Sequence, residues 1–215
     1  MVKPLENRKI DTVVFDIGNV LVDFDPRYMY RKVFADEAEM ERFIETVTTP
    51  AWHLEQDRGR TMAVATRLLV SEHPERRDQI EAYYKRWDEM FNGPIPGSVD
   101  ILHELEGRGY TLYALTNWSA ELFGRARETF PFLGVFREIV VSGELGLIKP
   151  DLEIYGVLVD RTGLDPGTSA FIDDSPANVE TANRLGFTGI AFTDPPALRD
   201  DLAELGLLDR TGAAG

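Results

Sequence analysis

The sequence predicts an α/β fold: a doubly wound, parallel sheet core that carries an inserted helical segment. Three observations predict it. Short apolar, β-branched runs bounded by turn residues recur along the chain. Helical patterns stand between them. One interval of about 70 residues breaks the alternation, and it is too long for an ordinary loop.

The expected strands lie at residues 12–17, 111–115, 135–141, 169–172 and 188–192, each short and apolar enough to be buried on both faces. After the first run comes the exceptional interval. Met40, Phe43, Ile44 and Val47 fit one helix face. Met62, Ala65 and Leu69 fit another, and Ile80, Tyr83, Tyr84, Trp87 and Phe91 a third. No strand is expected there. Residues 27–95 are therefore assigned as a helical insert seated over the C-terminal edge of the sheet, and residues 1–26 with 96–215 as the Rossmann-like core. Tyr28, Tyr30, Tyr83 and Tyr84 are assigned by default to the insert's own core. Beyond Pro94-Ile95-Pro96-Gly97, Val99, Leu102 and Leu105 keep a step of three up to Gly107. Ile154, Val157 and Leu158 follow Pro150. Ser175-Pro176 reads as a helix start leading to Val179, Ala182 and Leu185, with Gly186 as the stop. Asp194-Pro195 repeats that start before Leu198, Leu202 and Leu205.

The chain has 215 residues, with 23 Lys and Arg against 37 Asp and Glu, a net charge of −14. That balance argues against nucleic acid or an anionic membrane as partner. The insert has 11 basic and 13 acidic residues (−2), so the core holds 12 and 24 (−12). An anion bound in the core needs basic or metal help. No apolar run reaches the roughly 18–20 residues that span a bilayer. The stretch MVKPLENRKIDTVVF lacks a long apolar segment with a small-residue cleavage site, so no secretory signal is expected. With no cysteine, disulfides, thiolate metal sites and a Cys nucleophile are excluded. His53, His73 and His103 have no ligand spacing. A soluble, cytoplasmic enzyme is the expectation.

Ligands of open α/β sheets sit outside the carboxyl ends of the strands. Asp16 ends the first apolar run, in Phe15-Asp16-Ile17-Gly18-Asn19; it is either a nucleophile or metal ligand, or the cap of a turn. Gly18 lets the chain turn and leaves backbone groups open. Thr116, Asn117 and Ser119 close the second run before a helix, as an anion site or as an ordinary strand end and cap. Lys149, one of five lysines, precedes Pro150 at a helix entry and suits a phosphoryl oxygen. Asp173 and Asp174 close the fourth run; adjacent carboxylates there repel unless a hard divalent ion joins them, the alternative being a solvated helix cap.

Taken together and in this order, Asp16, Thr116, Lys149 and Asp173-Asp174 resemble the haloacid dehalogenase superfamily of aspartate-nucleophile hydrolases. The resemblance covers residues 10–208, and the insert falls where that family's type-1 helical cap falls. FDIGNVLVDFDP and FIDDSPAN are similar to the branch of glucose-1-phosphate phosphatase-like and epoxide hydrolase N-terminal-domain-like proteins. The resemblance implies a Mg²⁺-dependent phosphatase acting on a small, sugar phosphate-like ester through an aspartyl-phosphate. It implies Asp16 as nucleophile and metal ligand and the Gly18 carbonyl as a second ligand. Thr116 and the Asn117 N–H would bind phosphate, and Lys149 would pair with phosphoryl oxygens and steady Asp16. Asp174 would be the main acidic ligand, assisted by Asp173, with Asn178 where an acid often stands.

One departure matters. Phosphatases of the family place a second Asp two residues after the nucleophile, to protonate the leaving group and activate water; here that residue is Gly18. Losing such a group costs ~10²–10⁴ in rate, about 3–5 kcal/mol of barrier. Asp23, Asp25, Glu55 and Asp57 are candidate substitutes. The polar stretch from Trp52 to Gly59 either faces the site or is a solvated interhelical loop. Two rival readings follow. The family's metal-independent 2-haloacid dehalogenases also lack that acid, but they bind a carboxylate substrate, which the Asp173-Asp174 pair would repel. A weakly active phosphate-ligand-binding or regulatory protein is the other.

Overall fold

All five apolar runs become strands of one parallel sheet. The computed structural model describes residues 9–209, so the reading of the first eight residues as free of a secretory signal lies outside the described residues. In chain order the elements are β1 (Thr12–Phe15), β2 (Val22–Phe24), α1 (Pro26–Tyr30), α2 (Glu37–Thr46), α3 (Pro50–Asp57), α4 (Met62–Glu72) and α5 (Arg77–Lys85). Then follow β3 (Phe91–Pro94), α6 (Pro96–Gly107), β4 (Thr111–Thr116), α7 (Ala120–Thr129), β5 (Glu138–Val141) and α8 (Ser142–Leu145). The chain closes with α9 (Leu152–Thr162), β6 (Ser169–Asp173), α10 (Pro176–Arg184), β7 (Thr188–Ala191) and α11 (Pro195–Glu204).

The sheet order is β5-β4-β1-β6-β7, every pair parallel. The chain runs outward from β1 to β4 and β5, then returns across β1 to lay down β6 and β7. The order therefore reverses between β1 and β6, where doubly wound sheets open a crevice for ligands. Successive strand residues face opposite layers. Val13 and Phe15 join the core formed with Ile101, Leu105, Leu122, Phe123 and Leu202 of α6, α7 and α11. Val14 joins Leu115, Val140 and Phe171 beneath Ile154, Leu158 and Ala182 of α9 and α10. β5 starts later than the sequence pattern implies. Pro131 fixes the chain for a 3₁₀ turn over Pro131–Val135, which takes up the first residue of that apolar run.

Helices α1 to α5 fill the interval between β2 and β3. Their starts are coded by caps: Asp25, Asp36, Thr49 and Thr61 each accept a first-turn N–H of α1, α2, α3 and α4. Tyr30 and Tyr83 are buried in this layer, with Tyr30 edge-on to Phe43 at 5.2 Å between centroids. Tyr84 packs partly buried beside them. Tyr28 stands apart, its hydroxyl on Asp23.

Here the expectation of no strand fails. β2 and β3 pair antiparallel, Val22 opposite Pro94 and Phe24 opposite Phe91, so the chain enters and leaves the helical segment along a ribbon. β3 reads Phe-Asn-Gly-Pro, which is turn chemistry locally; Gly93 holds φ of +102°. Only its distant partner makes it a strand. Among the described residues no helix is long and apolar enough to cross a membrane.

Candidate active site

Asp16 stands one residue beyond β1, still tied to the sheet because its N–H donates to the Ile172 carbonyl at 2.8 Å. Its Oδ1 accepts from the Ile17 N–H at 2.7 Å. The chain then curls: Asn19 adopts a left-handed φ of +54°, and its Oδ1 accepts from the Phe24 N–H at 3.1 Å. Gly18 is not in the left-handed region, and a Cβ built on it meets nothing within 4 Å. The space beside it is open, so backbone strain does not explain this glycine.

Lys149 is fully buried at the centre of the site. Its Nζ lies 2.9 Å from Asp16 Oδ1 and 2.6 Å from Asp173 Oδ2. Asn117 fixes its backbone through a reciprocal pair: the Lys149 N–H donates to Asn117 Oδ1 at 2.8 Å, and Asn117 Nδ2 donates to the Lys149 carbonyl at 3.0 Å. Desolvation pulls the ammonium's pKa down, but Asp16 and Asp173 outweigh it and hold Lys149 above its ordinary value. Asp173, the last residue of β6, is fully buried. Its other oxygen accepts from the Ser175 N–H and from Asn178 Nδ2, both at 2.9 Å. Asn178 therefore orients Asp173. Thr116, the last residue of β4, has a buried hydroxyl with no hydrogen-bond partner. A buried hydroxyl is seldom left so, and a ligand oxygen would satisfy it.

One oxygen each of Asp16, Asp173 and Asp174 come within 4.8 Å of one another. Burial pushes the Asp16 carboxyl up to about 7; Lys149 opposes the rise, and Asp173 and Asp174 add to it. The Asp174 carboxyl is raised as well, by desolvation and then by Asp173. Three carboxylates thus face one ammonium. An all-oxygen donor set with excess negative charge fits a hard divalent cation.

Beside Gly18 opens a pocket walled by Phe24, Trp87, Phe91, Trp118 and Leu122, with Asn117 and Ser119 on the core side. Phe91 and Trp118 stack at 5.8 Å, 9° from parallel. His53 and Asp57, one turn apart on α3, complete the lining. His53 Nε2 is 3.6 Å from Asp57 Oδ2, and its Nδ1 pairs with the Tyr83 hydroxyl at 2.8 Å. Burial pushes the Asp57 carboxyl up to about 7, with Lys149 and the Ser119 N–H pulling back. Burial pulls His53 down to about 4.

A family model for haloacid dehalogenase-like hydrolases matches residues 10–186. The chain belongs to this family. Among its relatives is D-ribitol-5-phosphate phosphatase of Bacteroides thetaiotaomicron, 23% identical over 185 residues, 83% of this chain and 89% of that one. The sesquiterpene phosphatase astK of Aspergillus oryzae is 33% identical over 112 residues, 52% of this chain and 57% of its own length. A flavin mononucleotide hydrolase of Arabidopsis thaliana is 28% identical over 113 residues, 53% of this chain and 46% of its own. The chain thus spans only about half the length of these last two. The fold is shared with a HAD-like family hydrolase of Porphyromonas gingivalis (TM-score 0.72, 22% identity, 92% of this chain and 98% of that one). It is also shared with a HAD family enzyme of B. thetaiotaomicron in complex with magnesium and inorganic phosphate (TM-score 0.67, 22% identity, 86% and 95%).

In this haloacid dehalogenase-like hydrolase the fold brings Asp16, Gly18, Thr116, Asn117, Asp173 and Asp174, at the C-terminal ends of β1, β4 and β6 and the loops that follow them, together with Lys149 between α8 and α9. Of the four substitutes considered for the missing acid, Asp57 alone lines the pocket with Gly18. Asp23 is held by Tyr28 and Asn92 on the β2–β3 ribbon, Asp25 caps α1, and Glu55 is exposed. The stretch around Asp57 is helix α3 rather than an interhelical loop. His53 lies in the polar stretch from Trp52 to Gly59 but has no metal-ligand spacing; its signal in the sequence is the i,i+4 step to an acidic residue.

Proposed function

We propose that this protein is a Mg²⁺-dependent phosphatase that hydrolyses a small phosphorylated metabolite. The observation that carries this reading is Lys149, which is buried between Asp16 and Asp173; the orphan hydroxyl of Thr116 supports it. Asp16 uses its carboxylate as the nucleophile on phosphorus, in line with the leaving oxygen, and forms an aspartyl-phosphate that water then hydrolyses. Lys149 steadies Asp16 and neutralises phosphoryl oxygens. Thr116 and the backbone after it donate to the same oxygens. Asp173 and Asn178 act through Lys149, and the Asn117 side chain holds the lysine's backbone in place. Asp16 and Asp174, with the Gly18 carbonyl and with Asp173 close by, are the groups to hold Mg²⁺, which supplies charge neutralisation at the transferring phosphoryl group.

Residues 27–95 act as the cap that covers the site and shapes the leaving-group pocket. The pocket's stacked aromatic walls and few polar groups suit a small leaving group with one apolar face, a class that includes the sugars released from sugar phosphates. Residues 1–26 and 96–215 form the catalytic core. Attack on the carbon of a haloacid is disfavoured, because three carboxylates sharing one lysine repel a carboxylate substrate.

Asp16→Asn abolishes hydrolysis of phosphate esters while the circular dichroism of the folded chain stays in place. A variant that keeps near-native turnover sinks the reading. Chelator added to wild type stops phosphate release. Halide release from a chloroalkanoate that survives chelation would instead select the dehalogenase, and metal and ester binding with no turnover the regulatory protein.

A further inference from the structure

We propose that Asp57, brought to the pocket by α3, is the general acid and base of this site and that His53 is its positioning residue. The proposal rests on the phosphatase reading above. Gly18 leaves the space two residues after the nucleophile open, with nothing within 4 Å of a built Cβ. Asp57, on α3, lines that same pocket.

Asp57 is fixed at both ends. Its carbonyl accepts from Ser142 Oγ at 2.6 Å, and that same hydroxyl oxygen accepts from the Trp118 N–H at 2.9 Å. The next residue, Arg58, pairs with Asp151 at 3.3 Å. A built Cβ on Gly59 lies 3.2 Å from the Gly143 carbonyl oxygen, so the end of α3 is seated on α8. The carboxylate lies near enough to the Ser119 N–H to be pulled back by it, and it faces His53 Nε2 at 3.6 Å. His53 is held in turn by the Tyr83 hydroxyl and stacks on Phe24 at 5.6 Å. The titratable groups facing Asp57 are His53 on its own helix, Lys149 before α9, and Tyr83 and Tyr84 on α5. The carboxyl's shift to about 7 lets one group both donate and accept a proton near neutrality.

The two half-reactions balance. As the Asp16–phosphorus bond forms and the bond from phosphorus to the leaving oxygen breaks, the Asp57 proton passes to that oxygen and the alcohol departs. Water then attacks the aspartyl-phosphate and gives its proton to the Asp57 carboxylate. The Asp16–phosphorus bond breaks, so inorganic phosphate leaves and both carboxyls return to their starting states.

Two probes of similar shape but different leaving-group acidity test this: benzyl phosphate and 4-nitrophenyl phosphate, with Mg²⁺ present. Asp57→Asn loses ~10²–10⁴ in turnover of benzyl phosphate. With the nitrophenyl ester it gives a stoichiometric burst of nitrophenolate followed by slow turnover, because only the second step still needs a base. Adding Gly18→Asp to Asp57→Asn restores benzyl phosphate turnover by about tenfold or more. A merely structural role would give no burst with the nitrophenyl ester and would not be rescued at residue 18. The absence of that burst, or an unchanged rate on benzyl phosphate, overturns the proposal. Should Asp57→Asn fail to fold, wild type alone decides across a series of substituted phenyl phosphates. Rates nearly independent of leaving-group acidity support the proposal, and a steep dependence overturns it. Asp16→Asn run alongside separates the failures. If it matches wild type, the phosphatase reading falls and takes this proposal with it; if it is inert while Asp57→Asn is unimpaired, only the proposal falls.

Discussion

At the residue scale the site is a set of side chains that hold one another. Lys149 is buried between two carboxylates, and Asp16 and Asp173 together hold its ammonium charged. Removing either partner strands a buried charge, which is why such groups are retained together. Thr116 is different, because its hydroxyl has nothing to lose in the folded chain. Thr116→Val keeps the shape and removes an unpaired polar atom, so the thermal midpoint is unchanged or rises. The same variant gives up a bond to a charged oxygen. Inhibition by inorganic phosphate therefore weakens by about tenfold or more. A fall in stability without a change in phosphate inhibition would show that the hydroxyl serves the fold. The sequence marked Thr116, Lys149 and Asp173 because each ends an apolar run or precedes a proline. It did not mark the side chain of Asn117, whose reciprocal bonds to Lys149 join two loops 32 residues apart.

At the scale of elements the informative contact is between α8 and the turn from β4 into α7. Gly143 of α8 permits it: a Cβ there would lie 2.5 Å from the Ala120 nitrogen and 2.8 Å from the Trp118 oxygen, both backbone atoms that cannot swing aside. Gly143→Ala therefore destabilises the fold by about 1–3 kcal/mol, as overpacking does. A lowered urea midpoint measures it, and an unchanged midpoint contradicts the close approach. The β2–β3 ribbon belongs to this scale too. Three residues on one side and Phe-Asn-Gly-Pro on the other carry almost no local strand signal. Pairing across about 70 residues makes them a ribbon, and pattern reading along the chain does not see such a partner.

For the whole molecule, the placement of His53 and Asp57 predicts how stability follows pH. Asp57 has a folded pKa of about 7 against 3.8, so between those values the folded state holds a proton that the unfolded state has lost. Its contribution is present below pH 3.8 and is lost as pH rises through 7. His53 has a folded pKa of about 4 against 6.5, so over that range the unfolded state holds the extra proton. Its contribution is present above pH 6.5 and is lost as pH falls through 4. The two oppose each other between pH 4 and 6.5. Relative to wild type in chelator, Asp57→Asn gains stability with rising pH by about 1.4 kcal/mol per unit, and His53→Gln loses it by a similar slope. The shared carboxylate cluster cancels in that difference. Urea unfolding between pH 5 and 6 reads both slopes, and a variant whose slope equals that of wild type refutes the burial of that residue.

By itself the sequence determined the parallel core and the residues that end its strands, because strands buried on both faces must be apolar to their last residue. A charge after such a run, as at Asp16 and Asp173, stands out. It also determined that these ends share one edge, since strands that run parallel end on the same side of the sheet. Only the tertiary structure decided which distant groups complete the site. The ribbon, the Asn117 clasp and the meeting of Asp57 with Gly18 each depend on the angle at which one element docks on another. That angle comes from side-chain packing between segments far apart in the chain, and no local periodicity encodes it.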